Sequence, residues 1–233
     1  MQLSEEEYRE GQILLIDKPL EWSSFQVVKL IKTRLKYKLG IKKIKVGHAG
    51  TLDPLATGLL VIAIGRKTKS IPELMADEKV YTGEIFLGAT RPSIDKESEI
   101  DQTYSIDHIE DADIKALEHK FIGEIEQVPP IFSALKIDGK RAYESARKGE
   151  EPEMKKRLVQ IHEIKLERSS AEIVKFRVKC GKGTYIRSLA RDIGESLKTG
   201  AYLNSLRREQ VGLFDVADAI HPKSFLDPDF EDA

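Results

Sequence analysis

Cysteine is nearly absent from this sequence, since Cys180 is the only one among 233 residues. A single cysteine excludes an internal disulfide framework and a metal cluster built from cysteines, and it is typical of the reducing cytosol. Apart from His48, the histidines are scattered along the chain without the spacing of metal ligands. We therefore expect no metal site.

Long apolar runs are also missing. No stretch approaches the roughly 20 apolar residues that a helix needs to cross a bilayer. The first residues, Met1 to Glu7, lack the basic flank and apolar run of a signal peptide. The sequence therefore predicts a soluble, cytoplasmic protein with no membrane partner.

The chain has no overall excess of one charge, because 38 Lys and Arg residues balance 39 Asp and Glu residues to a net charge of −1. The charges are nevertheless segregated. Eight basic residues and no acidic one lie between Lys29 and Lys45, whereas acidic residues cluster at 95–118 and in the tail at 227–232. This segregation favours a polyanion bound on one face, and Lys42 and Lys43 are candidate contacts. The alternative is a plain solvated surface.

Hydrophobic patterns predict a mixture of strands and helices. Apolar runs at 13–16, 58–65 and 80–87 and a strictly alternating run at 174–180 predict strands. Helices are predicted after Ser23 or Ser24, after Asp111 or Asp113, and after a Thr184 cap. A long loop is predicted over 133–153. Strands and helices do not alternate regularly, so we expect an α+β fold with a mixed, mostly antiparallel central sheet and helices packed on it.

The densest chemical signal is the segment from Val46 to Leu60, which contains three glycines, His48, Asp53 and Pro54. Glycines permit close approach of a ligand, and a proline after Asp53 stiffens the backbone that presents its carboxylate. The composition of the segment indicates a site. The alternative is that Asp53 only caps a turn and His48 makes a local hydrogen bond.

The segment Gly47-His48-Ala49-Gly50-Thr51-Leu52-Asp53-Pro54-Leu55-Ala56-Thr57-Gly58 resembles the signature of the TruB family of tRNA pseudouridine synthases. Further segments are similar to the same family in the same order along the chain. They are Leu15 to Pro19 with Ser23-Ser24, Lys79 to Tyr81, Ser133 to Lys136 with Gly139 to Glu144, Lys182 to Arg187, and Leu206 to Arg208 with Val211-Gly212. The resemblance extends to about residue 215.

This resemblance implies a pseudouridine synthase fold over residues 1–215 and conversion of the uridine at position 55 in the tRNA T-loop. It implies no cofactor, the T-arm of tRNA as partner, and a monomer without an obligatory protein partner. Residues 216–233 are then a short tail, because many bacterial members continue into a small RNA-binding PUA domain for which this tail is too short. RNA-folding chaperone activity is compatible with the same surface.

The resemblance also implies roles for individual residues. Asp53 matches the catalytic aspartate, Tyr81 the tyrosine that stacks on the flipped base, and Arg187 an arginine that partners the Asp53 carboxylate. Asp95 matches an acid that pairs with this arginine, and His48 a residue that fills space around the base. The residues expected to bind substrate are His48, Tyr185, Lys18, Asp95, Lys42, Lys43 and Lys182.

The sequence departs from the family pattern at two places within the fold. The segment around Asp95 differs from the usual Thr- and Asp-rich run, and Glu21 stands where the family usually carries glycine, which predicts an altered turn. Three other functions fit parts of the pattern. They are an RNA-binding module without chemistry, a hydrolase that uses Asp53 as nucleophile on a small substrate, and a guide-RNA-dependent relative.

Overall fold

The computed structural model describes residues 3–133, 135–137, 140–141, 154–227 and 230. The helices are α1 (Glu5–Glu10), α2 (Ser24–Leu39), α3 (Ile71–Ala76), α4 (Asp111–Phe121) and α5 (Ile186–Ser196). The strands are β1 (Gln12–Lys18), β2 (Val46–His48), β3 (Ala56–Ile64), β4 (Lys79–Leu87), β5 (Ala89–Thr90), β6 (Gln102–Thr103), β7 (Gly123–Gln127), β8 (Lys136–Ile137), β9 (Lys140–Arg141), β10 (Arg157–Arg168), β11 (Ile173–Cys180), β12 (Ala201–Val211) and β13 (Phe214–Asp215). Short 3₁₀ turns lie at Gly65–Ser70, Val216–Asp218 and Pro222–Ser224.

The chain divides into two compact units, and the first comprises residues 1–81 and 206–233. Its central strand is β3, which has neighbouring strands on both edges and is buried at almost every position. Strands β1 and β2 pair with β3 in antiparallel orientation, whereas β12 pairs in parallel through Leu206 to Arg208. Apolar residues occupy nearly all of β3, as expected for a strand covered on both faces.

Helix α2 packs on this sheet through one apolar face. Ser23 caps its N-terminus by accepting the Gln26 N–H, and Gly40 ends it in the left-handed conformation. Val27, Ile31 and Leu35 are buried in the core together with residues of β1 and β3. The four-residue spacing of these side chains therefore places the helix as the sequence predicts.

The last described residues return to the core of the same unit. The Phe225 ring is buried and meets the Tyr8 ring edge to face, with ring centres 6.3 Å apart. Arg34 of α2 donates to the carbonyls of Lys223 and Phe225 and to the Asp227 carboxylate at 2.9 Å. Arg34 is therefore used inside the protein, and Lys38 also pairs with Asp227 at 3.7 Å.

The second unit comprises residues 82–205. Its strands follow the order β4-β11-β10-β7, and β10 is antiparallel to both β11 and β7. On β11 the buried residues Val174, Phe176 and Val178 alternate with exposed Lys175 and Arg177. This confirms the strand with one apolar and one basic face that the alternation predicts.

The expected mixed, mostly antiparallel sheet with helices packed on it is confirmed, as are the strands at 13–16, 58–65, 80–87 and 174–180. The prediction that Thr184 caps helix α5 is wrong. The Thr184 hydroxyl donates to the Gly181 carbonyl at 2.9 Å, and α5 begins one residue later, after Tyr185. The backbone N–H of Tyr185 donates to the Gln127 side chain at 2.8 Å, and among the described residues no side-chain hydrogen bond caps this helix.

The predicted loop over 133–153 lies mostly outside the described residues. Within its described part, β8 and β9 pair Lys136 with Arg141, so this part of the prediction is wrong. Two long strands, β10 and β12, were not predicted. No helix in the described ranges is long and apolar enough to span a membrane.

Candidate active site

Asp53 lies in the loop that joins β2 to β3. Its carbonyl accepts the Ala56 N–H at 3.0 Å, which closes a turn through Pro54. The preceding residue, Leu52, is buried and is held by the hydroxyl of Ser24, the first residue of α2. This hydroxyl accepts the Leu52 N–H at 2.9 Å and donates to the Leu52 carbonyl at 3.0 Å. The backbone beside the carboxylate is therefore fixed to the start of α2.

The Lys18 side chain is fully buried at the end of β1, on the other side of this loop. Its ammonium donates to the carbonyls of Pro19 at 2.9 Å, Trp22 at 2.6 Å and Pro54 at 3.3 Å. Burial lowers the pKa of Lys18 to about 8, and the negative charge of Asp53 partly opposes this shift. Lys18 thus places a positive charge next to the candidate carboxylate.

Glu21 adopts the left-handed backbone conformation with φ of 65°. Its N–H donates to the Pro54 carbonyl at 2.9 Å, which is the same oxygen that Lys18 contacts. The turn therefore has a glycine-like conformation although a glutamate occupies it, and the side chain carries the steric cost. Hydrogen bonds to the Pro54 carbonyl oxygen therefore connect the turn at residues 18–21 to the Asp53 loop.

His48 ends β2 on the same loop and is partly buried. Burial lowers the pKa of its imidazole, the charge of Arg208 lowers it further, and the Gly50 carbonyl acts in the opposite direction. Arg208, on β12, is itself buried and donates to the carbonyls of Leu59 at 2.7 Å and Gly50 at 3.1 Å. A neutral imidazole beside a buried guanidinium suits a residue that packs against an uncharged base.

Tyr81 lies near the start of β4 and is partly buried. It belongs to the first unit together with Asp53, Lys18 and His48. Its stacking on a base stays a prediction.

Arg187 and Asp95 meet in the second unit, as the resemblance implies. Both side chains are buried, and the Arg187 Nε lies 3.7 Å from an Asp95 Oδ atom. Arg187 also donates to the carbonyls of Ser93 at 3.0 Å and Phe132 at 2.7 Å. The altered sequence around Asp95 therefore still delivers a carboxylate to this arginine. Asp53 belongs to the first unit and Arg187 to the second, and their pairing stays a prediction.

Tyr185 precedes α5 and is partly buried. The Arg157 guanidinium lies 5.2 Å from the centre of its ring, within cation–π distance. Lys182 is exposed in the turn that leads to Tyr185. Contacts of either residue with substrate stay predictions.

Lys42 and Lys43 are exposed, as phosphate contacts must be. The Lys43 carbonyl accepts a hydrogen bond from Arg9 at 2.9 Å, so the backbone of this segment is held while the ammonium groups remain in solvent. Exposure alone does not distinguish a phosphate contact from a solvated face.

Two residues of this site were missed by the sequence analysis. The sequence identifies Ser24 as a candidate helix cap and as part of a segment similar to the family, and Arg208 as part of another such segment, but it assigns neither residue a role in the site. The signal for Ser24 was a second serine beside the capping one; a buried arginine such as Arg208 has no local signal. Within the described residues no group of three His, Cys, Asp or Glu side chains is placed to hold a metal ion.

Comparisons with known proteins agree on one family. Residues 36–186 match the TruB family pseudouridylate synthase, N-terminal domain. The tRNA pseudouridine synthase B of Flavobacterium johnsoniae is 54% identical over 219 residues, which cover 94% of this chain and 96% of that protein. The tRNA pseudouridine synthase B of Phocaeicola vulgatus is 52% identical over 94% of this chain and 93% of that protein.

Solved structures show the same fold. A chain in the crystal structure of a Cbf5-Nop10-Gar1 complex has a TM-score of 0.71 and 29% identity, and the match covers 97% of this chain. It covers 56% of that chain, so this chain spans little more than half the length of that relative. The expected pseudouridine synthase fold is thereby confirmed, and the chain belongs to the TruB family of pseudouridylate synthases.

Proposed function

We propose that this protein is a tRNA pseudouridine synthase that isomerises the uridine at position 55 of the T-loop, with Asp53 as catalytic carboxylate and without a cofactor. The observation that carries the proposal is the Asp53 loop. Its backbone is held by the Ser24 hydroxyl on one side and by the Lys18 ammonium on the other. The relatives that match over nearly the whole chain bear the name of this activity.

The reaction exchanges one bond of the base for another. The C–N bond between the sugar and uracil breaks, the uracil turns, and a C–C bond forms to its carbon 5. The proton on that carbon leaves and the ring nitrogen gains one, so there is no net redox change. A carboxylate is sufficient for the first step, because it can attack the sugar or stabilise the positive charge that develops there. Both a covalent adduct and a glycal intermediate are compatible with this role.

Lys18 places its positive charge beside Asp53. A positive charge at this position stabilises and orients the negatively charged carboxylate that acts on the sugar. The three carbonyls around the ammonium hold it in place, so its position does not depend on substrate. The sequence predicts that Lys18 binds substrate, but its side chain is fully buried and its ammonium is held by three carbonyls. In this proposal Lys18 is therefore a positioning residue that acts through the Asp53 loop.

The target base must leave its stack before it reaches Asp53, and this costs a few kcal/mol. Tyr81 offers an aromatic surface that replaces the lost stacking, and its hydroxyl is a candidate proton acceptor. His48 fills space beside the base as an imidazole that burial and Arg208 keep neutral. Both residues lie in the unit that carries Asp53.

The second unit contributes Arg187, Asp95 and Tyr185. We assign Asp95 to the orientation of Arg187, supported by the 3.7 Å separation and the burial of these two side chains. The role of Arg187 as partner of the Asp53 carboxylate is proposed from the family resemblance alone. Tyr185 borders the base. Lys42, Lys43 and Lys182 contact phosphates of the T-arm; all three are exposed, and Lys42 and Lys43 belong to the 29–45 segment, which carries eight basic residues and no acidic one.

We place this activity in the cytoplasm, in a monomer that needs no obligatory protein partner. The purified protein alone should therefore convert unmodified tRNA. A requirement for a guide RNA or a second protein in the same assay would contradict this.

The decisive experiment compares wild type with Asp53→Asn on unmodified tRNA transcripts, with chemical mapping of pseudouridine. The amide keeps the shape and removes the charge, so turnover should disappear while tRNA binding stays within about tenfold. Asp218→Asn, an exposed carboxylate of the same unit, is the matched control and should retain wild-type turnover. Binding without conversion by wild type would favour an RNA-folding module, and release of free uracil would favour a hydrolase.

A further inference from the structure

Phe25 is an exposed aromatic residue in the first turn of α2. Its relative exposure is 72%, and Leu20, in the turn that precedes the helix, is 54% exposed. Single exposed apolar residues are common on protein surfaces and need no function. The meaning of Phe25 therefore depends on what surrounds it.

Two lysines continue the same helical face. Lys29 and Lys32 follow Phe25 at positions i+4 and i+7, and both are exposed. At about 100° per residue these three positions form one stripe along the helix, about 10 Å long. Lys36 continues the spacing, but its ammonium lies 4.8 Å from the centre of the Tyr37 ring, and we leave it out of the stripe.

No negative charge of the helix itself competes with this stripe, because α2 contains no Asp or Glu. The acidic tail reaches α2 through Asp227, which pairs with Arg34 at 2.9 Å and Lys38 at 3.7 Å. Arg34 lies about half a turn away from Phe25 around the helix axis. The stripe is thus an aromatic ring followed by two cations, a combination that suits unpaired RNA.

The start of the stripe is fixed close to the candidate active site along the chain. Ser24, the residue before Phe25, makes two hydrogen bonds to Leu52, the residue before Asp53. Phe25 is therefore adjacent in sequence to Ser24, whose hydrogen bonds to Leu52 also position the Asp53 loop. A nucleobase bound at Phe25 would lie near the end of α2 that supports the catalytic carboxylate.

We propose that Phe25, Lys29 and Lys32 form an RNA-contact stripe in which the ring stacks on an unpaired nucleobase of the substrate loop and the lysines contact the adjoining phosphates. The proposal rests on the proposed function, because it takes the substrate to be an RNA. The charge of the stripe is complementary to the phosphate backbone, and loop bases are free to stack because they are not paired.

The test measures KM and kcat of Phe25→Ala on tRNA. Loss of one base–aromatic stack should raise KM by about tenfold. The kcat at saturating tRNA should remain within about twofold, because the ring touches no reacting atom. Tyr37→Ala is the matched control, since Tyr37 is 74% exposed on the same helix and lies outside the stripe, and it should leave KM unchanged. Phe25→Trp should retain wild-type KM, whereas Phe25→Leu should resemble Phe25→Ala.

The lysines are tested by Lys29→Gln/Lys32→Gln. Loss of two phosphate contacts should flatten the plot of the logarithm of the tRNA binding constant against the logarithm of the salt concentration, reducing its slope by about 1.5. Wild-type KM in Phe25→Ala, or an unchanged slope in the double variant, would overturn the stripe while leaving the isomerase activity standing. Failure of wild type to convert tRNA would instead contradict the proposed function. A concentration-dependent dimer that Phe25→Ala disrupts would assign the ring to a protein interface and also overturn the proposal.

Discussion

The Lys18 ammonium lies 3.3 Å from the carbonyl oxygen of Pro54, and Pro54 directly follows Asp53. This contact joins the end of β1 to the loop of the candidate nucleophile. The pKa of Lys18 is lowered to about 8 by burial, so the charge at this contact changes within an accessible pH range.

We predict that kcat/KM falls above about pH 8, because Lys18 then loses the positive charge that lies beside Asp53 and binds the Pro54 carbonyl of its loop. Lys18→Met should be slower at every pH and should not show this fall of kcat/KM above pH 8.

The free energy of unfolding should change with pH in the opposite direction to kcat/KM. The pKa is lower in the folded protein than the ordinary 10.5, so the unfolded chain binds more protons between about pH 8 and 10.5. The free energy of unfolding of wild type relative to Lys18→Met should therefore rise across that window in urea titrations.

Ser24→Ala should impair catalysis without touching a reacting group. It leaves two buried polar groups of Leu52 without their partner, which should lower the free energy of unfolding by about 2–3 kcal/mol. The looser Asp53 loop should reduce kcat by about tenfold or more. Ser23→Ala is the control, because loss of the helix cap should cost about 1 kcal/mol and leave kcat unchanged. Equal kcat in both variants would show that the Leu52 joint does not position Asp53.

Glu21→Gly should stabilise the protein. A side chain at φ of 65° is strained, and relief of this strain exceeds the entropy that glycine adds to the unfolded chain, for a net gain of about 0.5–1 kcal/mol. Glu21→Ala keeps the Cβ atom and should be close to neutral. Thermal and urea unfolding of the three proteins checks this, and a stabilised alanine variant would point to charge rather than backbone strain.

Tyr81→Phe should reduce the rate far more than it weakens tRNA binding. The ring of phenylalanine still stacks on a base, and only the hydroxyl, a candidate proton acceptor, is lost. Single-turnover rates and equilibrium binding of the same preparation separate the two effects. Near-full turnover would exclude the hydroxyl from proton transfer.

Much of the fold follows from local patterns in the sequence. Helix α2 could be predicted because Val27, Ile31 and Leu35 repeat at helical spacing behind a capping serine. Strand β12 could not be predicted in this way. Its C-terminal half contains the polar residues Ser205, Arg207 and Glu209, and the neighbouring strands decide which of its side chains are buried. Strand β10 likewise mixes many charged residues with its buried ones.

The candidate site could be located from the sequence to the extent that it lies in one contiguous segment. Asp53 and His48 stand out because glycines and a proline surround them. The hydrogen bonds that hold this segment join residues far apart in the sequence. Ser24 and Leu52 are separated by 28 positions, and Arg208 and Gly50 by 158. A single sequence contains no periodic signal for such pairs, so they become visible only in the structure.

The parallel pairing of β3 with β12 has a consequence for how the signature segment should be interpreted in other genomes. Gly58 has φ of 98°, and a Cβ atom there would lie 2.3 Å from the Arg208 carbonyl oxygen. Two independent constraints thus forbid any side chain at this position, and neither involves a reaction. A relative that has lost activity but kept the fold would retain this glycine while it is free to replace Asp53. In newly sequenced chains the glycine at the end of the segment therefore reports on strand architecture, whereas the proposed catalytic role must be judged from the aspartate.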